Sequence, residues 1–166
     1  MARPEYPVTP AVRFLRDHGI AFEPHLYPYE DRGGTSHAAK ALKVPEHCVI
    51  KTLVMEADNR TPLLVLMHGD CEVSTRRLAR IIGAKHIVPC DPSAAHRLTG
   101  YLVGGTSPFG TRSSLPVYAE RSIFSLERIY INGGKRGFLV AMQPAELPGL
   151  LQLFPVDIAI QNGYIA

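Results

Sequence analysis

Three short segments of this 166-residue chain carry residue types able to do chemistry. The first is Val49-Ile50-Lys51-Thr52-Leu53-Val54-Met55. Strand alternation puts Lys51 on one face with Val49, Leu53 and Met55. An ammonium on an apolar face either snorkels to water or meets an anion in a pocket, and the segment alone leaves both readings open. The second runs from Thr99 to Gly110, where Tyr101-Leu102-Val103 leads into a loop containing Gly104, Gly105 and Gly110. Glycine lets backbone amides come close to a ligand, and successive amides can cradle an oxyanion. A tight connection needing positive φ would have the same composition. The third, Ile131-Asn132-Gly133-Gly134-Lys135-Arg136-Gly137, reads as a hairpin tip whose two cations meet phosphates or simply water.

Other familiar chemistries lack their residues. No GxGxxG occurs, so a dinucleotide fold has no support. Gly105 to Arg112 has the glycine spacing of a phosphate loop but no lysine, and Pro108 removes an amide the cradle would use. Cys48, Cys71 and Cys90 form no CxxC pair, which argues against a disulfide framework or zinc ribbon and for a reducing, cytoplasmic setting. His68 and Cys71 stand three apart, but two residues do not hold a metal alone. No metal and no cofactor are expected, and none of the three thiols is assigned as a nucleophile.

The elements that must position these segments are legible from caps and alternation. Thr9-Pro10 and Asp91-Pro92 place an oxygen acceptor before a proline at the first helical position, opening helices that Gly19 and Gly100 close. Ser74 caps a helix over Thr75–Ile82, with Val73 and Leu78 as a staple and Gly83 as the stop. Ser36 is read as the cap of His37–Lys43, and Gln143-Pro144 as the start of a helix over Ala145–Leu153. Strands are predicted at Phe22–Tyr29, Cys48–Glu56, Leu63–His68, His86–Val88, Tyr101–Val103, Val117–Ala119, Arg128–Ile131 and Gly137–Met142. Asp58-Asn59 and Asn132-Gly133 read as hairpin turns, the latter of type I′. The mixture lacks regular βαβ spacing, so the expectation is one α+β domain over residues 1–166, core about 9–155, with a mixed, mostly antiparallel sheet and flanking helices.

Composition agrees with a globular chain: 46% hydrophobic and 20% charged residues. No segment reads as a secretion signal or membrane span, because the longest apolar stretch, Leu147 to Ile160, contains Pro148, Pro155 and Asp157. The net charge of +3 is uneven: residues 71–137 hold 10 basic and 4 acidic side chains. Such a basic middle can attract a polyanion. Arg76, Arg77 and Arg80 sit on the polar side of the Ser74 helix, either as a phosphate-binding patch or as a solvated face.

The segments Thr9–Val12, Val49–Leu53, Thr99–Gly110 and Ile129–Gly137 together resemble the YbaK/EbsC-type aminoacyl-tRNA deacylases, relatives of the editing domain inserted in bacterial prolyl-tRNA synthetases. GYLVGG-T-S-P and GGKRG are the specific matches. The resemblance implies a compact α+β fold and a trans-editing deacylase that cleaves the ester of mischarged tRNA, Cys-tRNA(Pro) above all. The alternatives are an Ala-tRNA(Pro) deacylase and a non-catalytic nucleotide or aminoacyl-binding module. It puts catalysis on Lys51 with Gly104, Gly105 and Thr106. Substrate contacts fall on Tyr27, Thr52, Ser107, Pro108, Asn132, Gly133 and Gly134. Candidate contacts with tRNA, read from charge rather than from the resemblance and with a solvated surface as the alternative, are Arg76, Arg77, Arg80, Lys135 and Arg136. The implied partners are the acceptor end of an aminoacyl-tRNA and, as a candidate, prolyl-tRNA synthetase. Asn132 stands where relatives commonly have serine, and Leu139 where they often carry a polar residue.

An aminoacyl ester is already activated, so a site without a Ser-His-Asp signature suits it. Backbone amides can stabilise the oxyanion, and orientation of the attacking group does the rest. For a cysteinyl substrate the resemblance implies attack by the substrate's own thiol, formally a cyclisation, with water as the alternative.

Overall fold

The structure, a computed structural model, describes residues 5–161. Its helices are α1 (Pro10–Asp17), α2 (Gly34–Leu42), α3 (Thr75–Ile82), α4 (Pro92–Thr99) and the single turn α5 (Leu147–Leu150). Its strands are β1 (Glu23–Leu26), β2 (Val49–Ala57), β3 (Thr61–His68), β4 (Cys71–Val73), β5 (Val88–Pro89), β6 (Val117–Glu120), β7 (Ile129–Lys135), β8 (Phe138–Met142), β9 (Leu153–Val156) and β10 (Ala159–Gln161). The main sheet runs β1-β8-β7-β2-β3-β6-β9, with β5 on the free part of β2, and β10 pairs with β4 in a second small sheet. The β2–β3, β7–β8 and β1–β8 pairs are antiparallel, whereas β2–β7, β3–β6 and β6–β9 are parallel. The expected α+β class with a mixed sheet is therefore what the chain adopts.

Each face of the sheet has its own covering. One face presents Ile50, Leu64, Leu66, Ile131, Phe138 and Val140 to Ala11, Val12 and Leu15 of α1 and to Phe109. Fully burying a side chain of this size stabilises by about 1.5–3 kcal/mol. The opposite face is covered in two separate places. Ala38 and Ala39 of α2 pack on Val49 and Leu139, while Leu78 and Ala79 of α3 pack with Met55, Leu63 and Val65. Lys51 and Leu53 lie on this face between the two coverings.

The expected caps of α1, α3 and α4 form: Thr9, Ser74 and Asp91 accept from the amides of Val12, Arg77 and Ala94. Thr9 does more than cap, since its hydroxyl also donates to the Gly133 carbonyl and ties α1 to β7. Five expectations are corrected. Gly33 precedes α2, so Ser36 lies inside the helix and caps nothing. Tyr101–Val103 forms no strand, because Tyr101 turns inward to donate its hydroxyl to the Phe109 carbonyl. Asn132-Gly133 is not the hairpin turn: Asn132 pairs with Leu139, and the chain reverses at Arg136-Gly137 instead. The helix expected over Ala145–Leu153 shrinks to a 3-10 turn and α5, followed by β9. Finally, β4 and β10 were not expected; each is three residues long and is held by the other. Among the described residues no helix is long and apolar enough to cross a membrane.

Candidate functional site

The site begins as a defect in the sheet. β3 pairs with β2 along its length, from Ile50↔His68 to Ala57↔Thr61. On the other edge of β2, β7 pairs only at Val49↔Tyr130 and Ile50↔Ile131, and β5 only at Met55↔Pro89 and Glu56↔Val88. Between them Lys51 to Val54 has no strand neighbour, although the Cys90 amide reaches the Val54 carbonyl at 3.0 Å. The cause lies in β7, which bulges between Asn132 and Lys135 and leaves β2. In-plane groups alternate along a strand. Val49 accepts from Gly69 on the β3 side at 2.7 Å, so the odd-numbered residues bond to β3. The amide and carbonyl of Thr52 consequently face the gap. Its hydroxyl oxygen is buried with no hydrogen-bond partner.

A cavity of about 630 Å³ wraps this open edge. Its apolar floor comes from Ala38, Val49 and Leu139, and its wall from Tyr27. Lys51 reaches it from the uncovered stretch of the sheet. Among the described residues no carboxylate lies within ion-pair distance of Lys51. A cation on an apolar wall without a protein counter-charge favours an anionic ligand. Tyr29, Glu30, Asp31 and Arg32 form the rim on one side, with His37 behind them. The His37 Nε2–H donates to the Pro28 carbonyl at 2.6 Å, and Nδ1 lies 3.1 Å from the Glu30 carboxylate.

The glycine loop closes the other side and is bolted to the bulge of β7. The Asn132 side-chain amide donates to the Gly104 carbonyl at 3.2 Å. Its Oδ1 accepts from the Gly134 and Lys135 amides at 2.7 and 3.1 Å, holding the bulge open. Gly104 has φ +89°, and a Cβ there would stand 2.8 Å from the Tyr29 hydroxyl. At Gly105 a Cβ would meet the Arg136 amide nitrogen at 2.8 Å, so backbone packs on backbone. The Gly105 amide already donates to the Leu102 carbonyl at 2.8 Å. Arg136 donates from Nε to the Val103 carbonyl at 2.8 Å and lies over the Tyr29 ring, 5.3 Å from its centroid.

Of the residues singled out from sequence, Lys51, Thr52, Tyr27, Gly104, Thr106, Asn132 and Arg136 line the cavity together. Gly105 lies just behind the lining. Ser107 and Pro108 are buried behind the loop, where the Ser107 hydroxyl accepts from the Phe109 amide. Gly133 faces the Phe138 ring and Gly134 the Tyr101 ring, so both serve the bulge. Lys135 lies on a separate groove with Glu5, Tyr6 and Leu26. Arg76, Arg77 and Arg80 stand on the outer side of α3 and do not line the cavity. Tyr29, His37 and Cys90 line it without having been singled out. The position of Tyr29, two residues beyond Tyr27 on an extended segment, was the available signal.

The thiols are held protonated. Burial and the Glu56 carboxylate push Cys90 up to about 11, and burial and Asp70 push Cys71 up to about 11. Neither is an activated nucleophile near neutral pH. His47, Asp70 and Cys71 bring donor atoms within 4.8 Å of one another. Asp70 Oδ1 already accepts from His47 Nδ1 at 2.8 Å and Cys71 Sγ at 3.5 Å, so the group is satisfied by hydrogen bonds. Nearby, the His68 ring nitrogens lie 2.7 Å from the His47 carbonyl oxygen and 2.8 Å from the Ser122 hydroxyl.

Known proteins share this arrangement of sequence and fold. Residues 30–150 match the family model of the aminoacyl-tRNA editing domain. The chain is 25% identical over 143 residues to EbsC of Enterococcus faecalis, provisionally named a Cys-tRNA(Pro)/Cys-tRNA(Cys) deacylase, covering 86% of this chain and 87% of that one. It is 38% identical over 86 residues to the proline–tRNA ligase of Solidesulfovibrio magneticus, covering 51% of this chain but 14% of the ligase. A crystal structure described provisionally as a trans-editing enzyme for prolyl-tRNA synthetase superposes with a TM-score of 0.81 at 22% identity, over 93% of this chain and 99% of that one. That likeness speaks for the fold. With the family model spanning most of its length, the chain belongs to the aminoacyl-tRNA editing domain family.

Proposed function

We propose that residues 1–166 act as one trans-editing unit that removes cysteine from Cys-tRNA(Pro). The observation that carries this reading is the open stretch of β2, where Lys51 and the in-plane amide and carbonyl of Thr52 face one cavity. A terminal nucleotide offers a phosphate to Lys51 and a ribose hydroxyl to the Thr52 carbonyl. The esterified amino acid then lies toward Ala38, Val49 and Leu139, a floor suited to a small, weakly polar side chain. Such a pocket completes what a synthetase cannot do by binding alone, because side chains of similar size differ too little in transfer energy.

Chemistry follows from position. The ester carbonyl faces the gap, where the Thr52 amide supplies an in-plane donor for the developing oxyanion. The Gly104 carbonyl, fixed by Asn132, borders the substrate and sets its orientation. The substrate thiol attacks its own carbonyl carbon, the carbon–oxygen bond to the ribose breaks, and the thiol proton passes to the released ribose oxygen. The products are a cyclic thioester of cysteine and an uncharged tRNA. Water attack gives free cysteine instead, and the two are distinguished by product analysis. A charged tRNA places this work in the cytoplasm, with prolyl-tRNA synthetase as the proposed source of substrate.

The test is deacylation of Cys-, Ala- and Pro-tRNA(Pro) by the purified chain. Selective loss of the cysteinyl ester supports the reading. Selective loss of the alanyl ester would reassign the substrate, and no loss with tRNA still bound would make the protein a binding module.

A further inference from the structure

At the mouth of the cavity the protein exposes a group of side chains that the chemistry above does not use. Val103 is 53% exposed and Tyr29 38%, and both line the cavity. Tyr29 packs against Gly104, the Arg136 guanidinium lies over the Tyr29 ring, and Arg136 is pinned by the Val103 carbonyl. The result is an aromatic ring, a planar cation and an aliphatic edge in one rigid lip. Gly104 has to be glycine for the lip to form, since a Cβ would strike the Tyr29 hydroxyl.

We infer that this lip stacks the base of the penultimate nucleotide of the tRNA acceptor end, an inference that rests on the aminoacyl-tRNA reading of the cavity. When the terminal nucleotide enters beside Lys51, its neighbour must cross the rim. Unpaired bases are held by stacking on aromatic rings and guanidinium planes, with aliphatic groups alongside. The rim carries Arg32 and Arg136 beside Glu30 and Asp31 and is balanced in charge, whereas the ammonium of Lys51 lies within and draws the terminal phosphate past the lip. The bond from Arg136 Nε to the Val103 carbonyl fixes the guanidinium over the Tyr29 ring, and what the lip contributes is stacking, for which every base has a face. It therefore recognises a base as such and tolerates a change of base. A partner protein would gain no comparable match from so small an apolar edge beside a guanidinium.

The experiment uses cysteinylated acceptor-stem minihelices carrying cytidine, uridine or an abasic residue at the penultimate position. The expected result is an unchanged KM for uridine and a KM about tenfold higher for the abasic form. In Tyr29→Ala, and in Val103→Ser as a surface variant that leaves the ring in place, the abasic penalty shrinks or disappears. Equal KM values for cytidine and abasic substrates, or a full penalty in Tyr29→Ala, would overturn the inference. A second readout needs no turnover: 2-aminopurine at the penultimate position of an uncharged minihelix is quenched on binding to the wild-type chain and not to Tyr29→Ala. If no aminoacyl ester is cleaved, the editing reading fails, while the quenching still decides the stacking site by itself.

Discussion

Lys51 and Asn132 are the rung that the β2–β7 ladder does not make. Pairing proceeds from Val49↔Tyr130 to Ile50↔Ile131 and stops, so the next two residues face each other across the gap on one face of the sheet. The cavity occupies the space that a continuous ladder would have closed. One residue supplies the free charge, and the other holds the bulge that keeps the strands apart.

Replacing Lys51 by alanine should leave the fold within about 1 kcal/mol of wild type, since no protein partner is lost. Deacylation should fall by about 100-fold or more, because the anion that orients the ester loses its counter-charge. Thermal unfolding and single-turnover hydrolysis, measured together, check this. Unchanged turnover with a normal melting profile would remove Lys51 from the site.

Asn132→Ala removes a donor to Gly104 and an acceptor for two backbone amides. The expected loss is about 1–3 kcal/mol of stability, with a decrease in turnover larger than the change in KM. Asn132→Asp keeps the acceptor and lacks the donor. It should retain the bulge yet still lose activity, and comparing the two variants separates the functions.

Gly104→Ala introduces a side chain at φ +89° and 2.8 Å from the Tyr29 hydroxyl. Left-handed backbone costs an alanine about 1–2 kcal/mol, and the clash adds to it. Combining it with Tyr29→Phe should recover the steric part only. Calorimetry of the two single variants and the double would show a favourable coupling between them.

Glu120 contributes to acid stability. Burial works to raise its carboxyl, but the Ser122 hydroxyl and amide and the Ile158 and Ala159 amides outweigh it and hold the group below its ordinary value. A depressed folded pKa means the stabilisation is complete above the unfolded value of about 4.3 and is lost as pH falls through the lower folded one. Glu120→Gln should lower stability at pH 7 by about 2–3 kcal/mol and flatten its dependence on pH below 5. Denaturant melts at pH 7, 5 and 3 provide the measurement.

Cys90 tests the assignment of no protein nucleophile. With its thiol pushed up to about 11, alkylation by iodoacetamide should be slow at pH 8 and accelerate well above the range of an ordinary cysteine. A Cys90→Ala chain that still deacylates within about threefold of wild type would agree with substrate-assisted or water attack. Loss of activity together with a covalent cysteinyl adduct on the wild type would contradict it.

Local sequence determined the parts whose causes are local. Thr9, Ser74 and Asp91 cap their helices because each presents its oxygen to an amide three residues ahead. Alternation placed Lys51 on the face of Val49 and Leu53, and the glycine-rich segments marked where backbone would approach backbone. Tertiary structure decided the rest. Asn132-Gly133 has the composition of a tight turn, yet pairing of Asn132 with Leu139 and the Thr9 tether to Gly133 move the reversal to Arg136-Gly137. Tyr101–Val103 has strand composition, but burial of Tyr101 beside Phe109 draws it out of any ladder. The gap between β7 and β5, the free Thr52 groups and the Tyr29–Arg136 lip depend on contacts between segments up to about a hundred residues apart. Their free energy is supplied only when the whole sheet assembles, and no local pattern contains it.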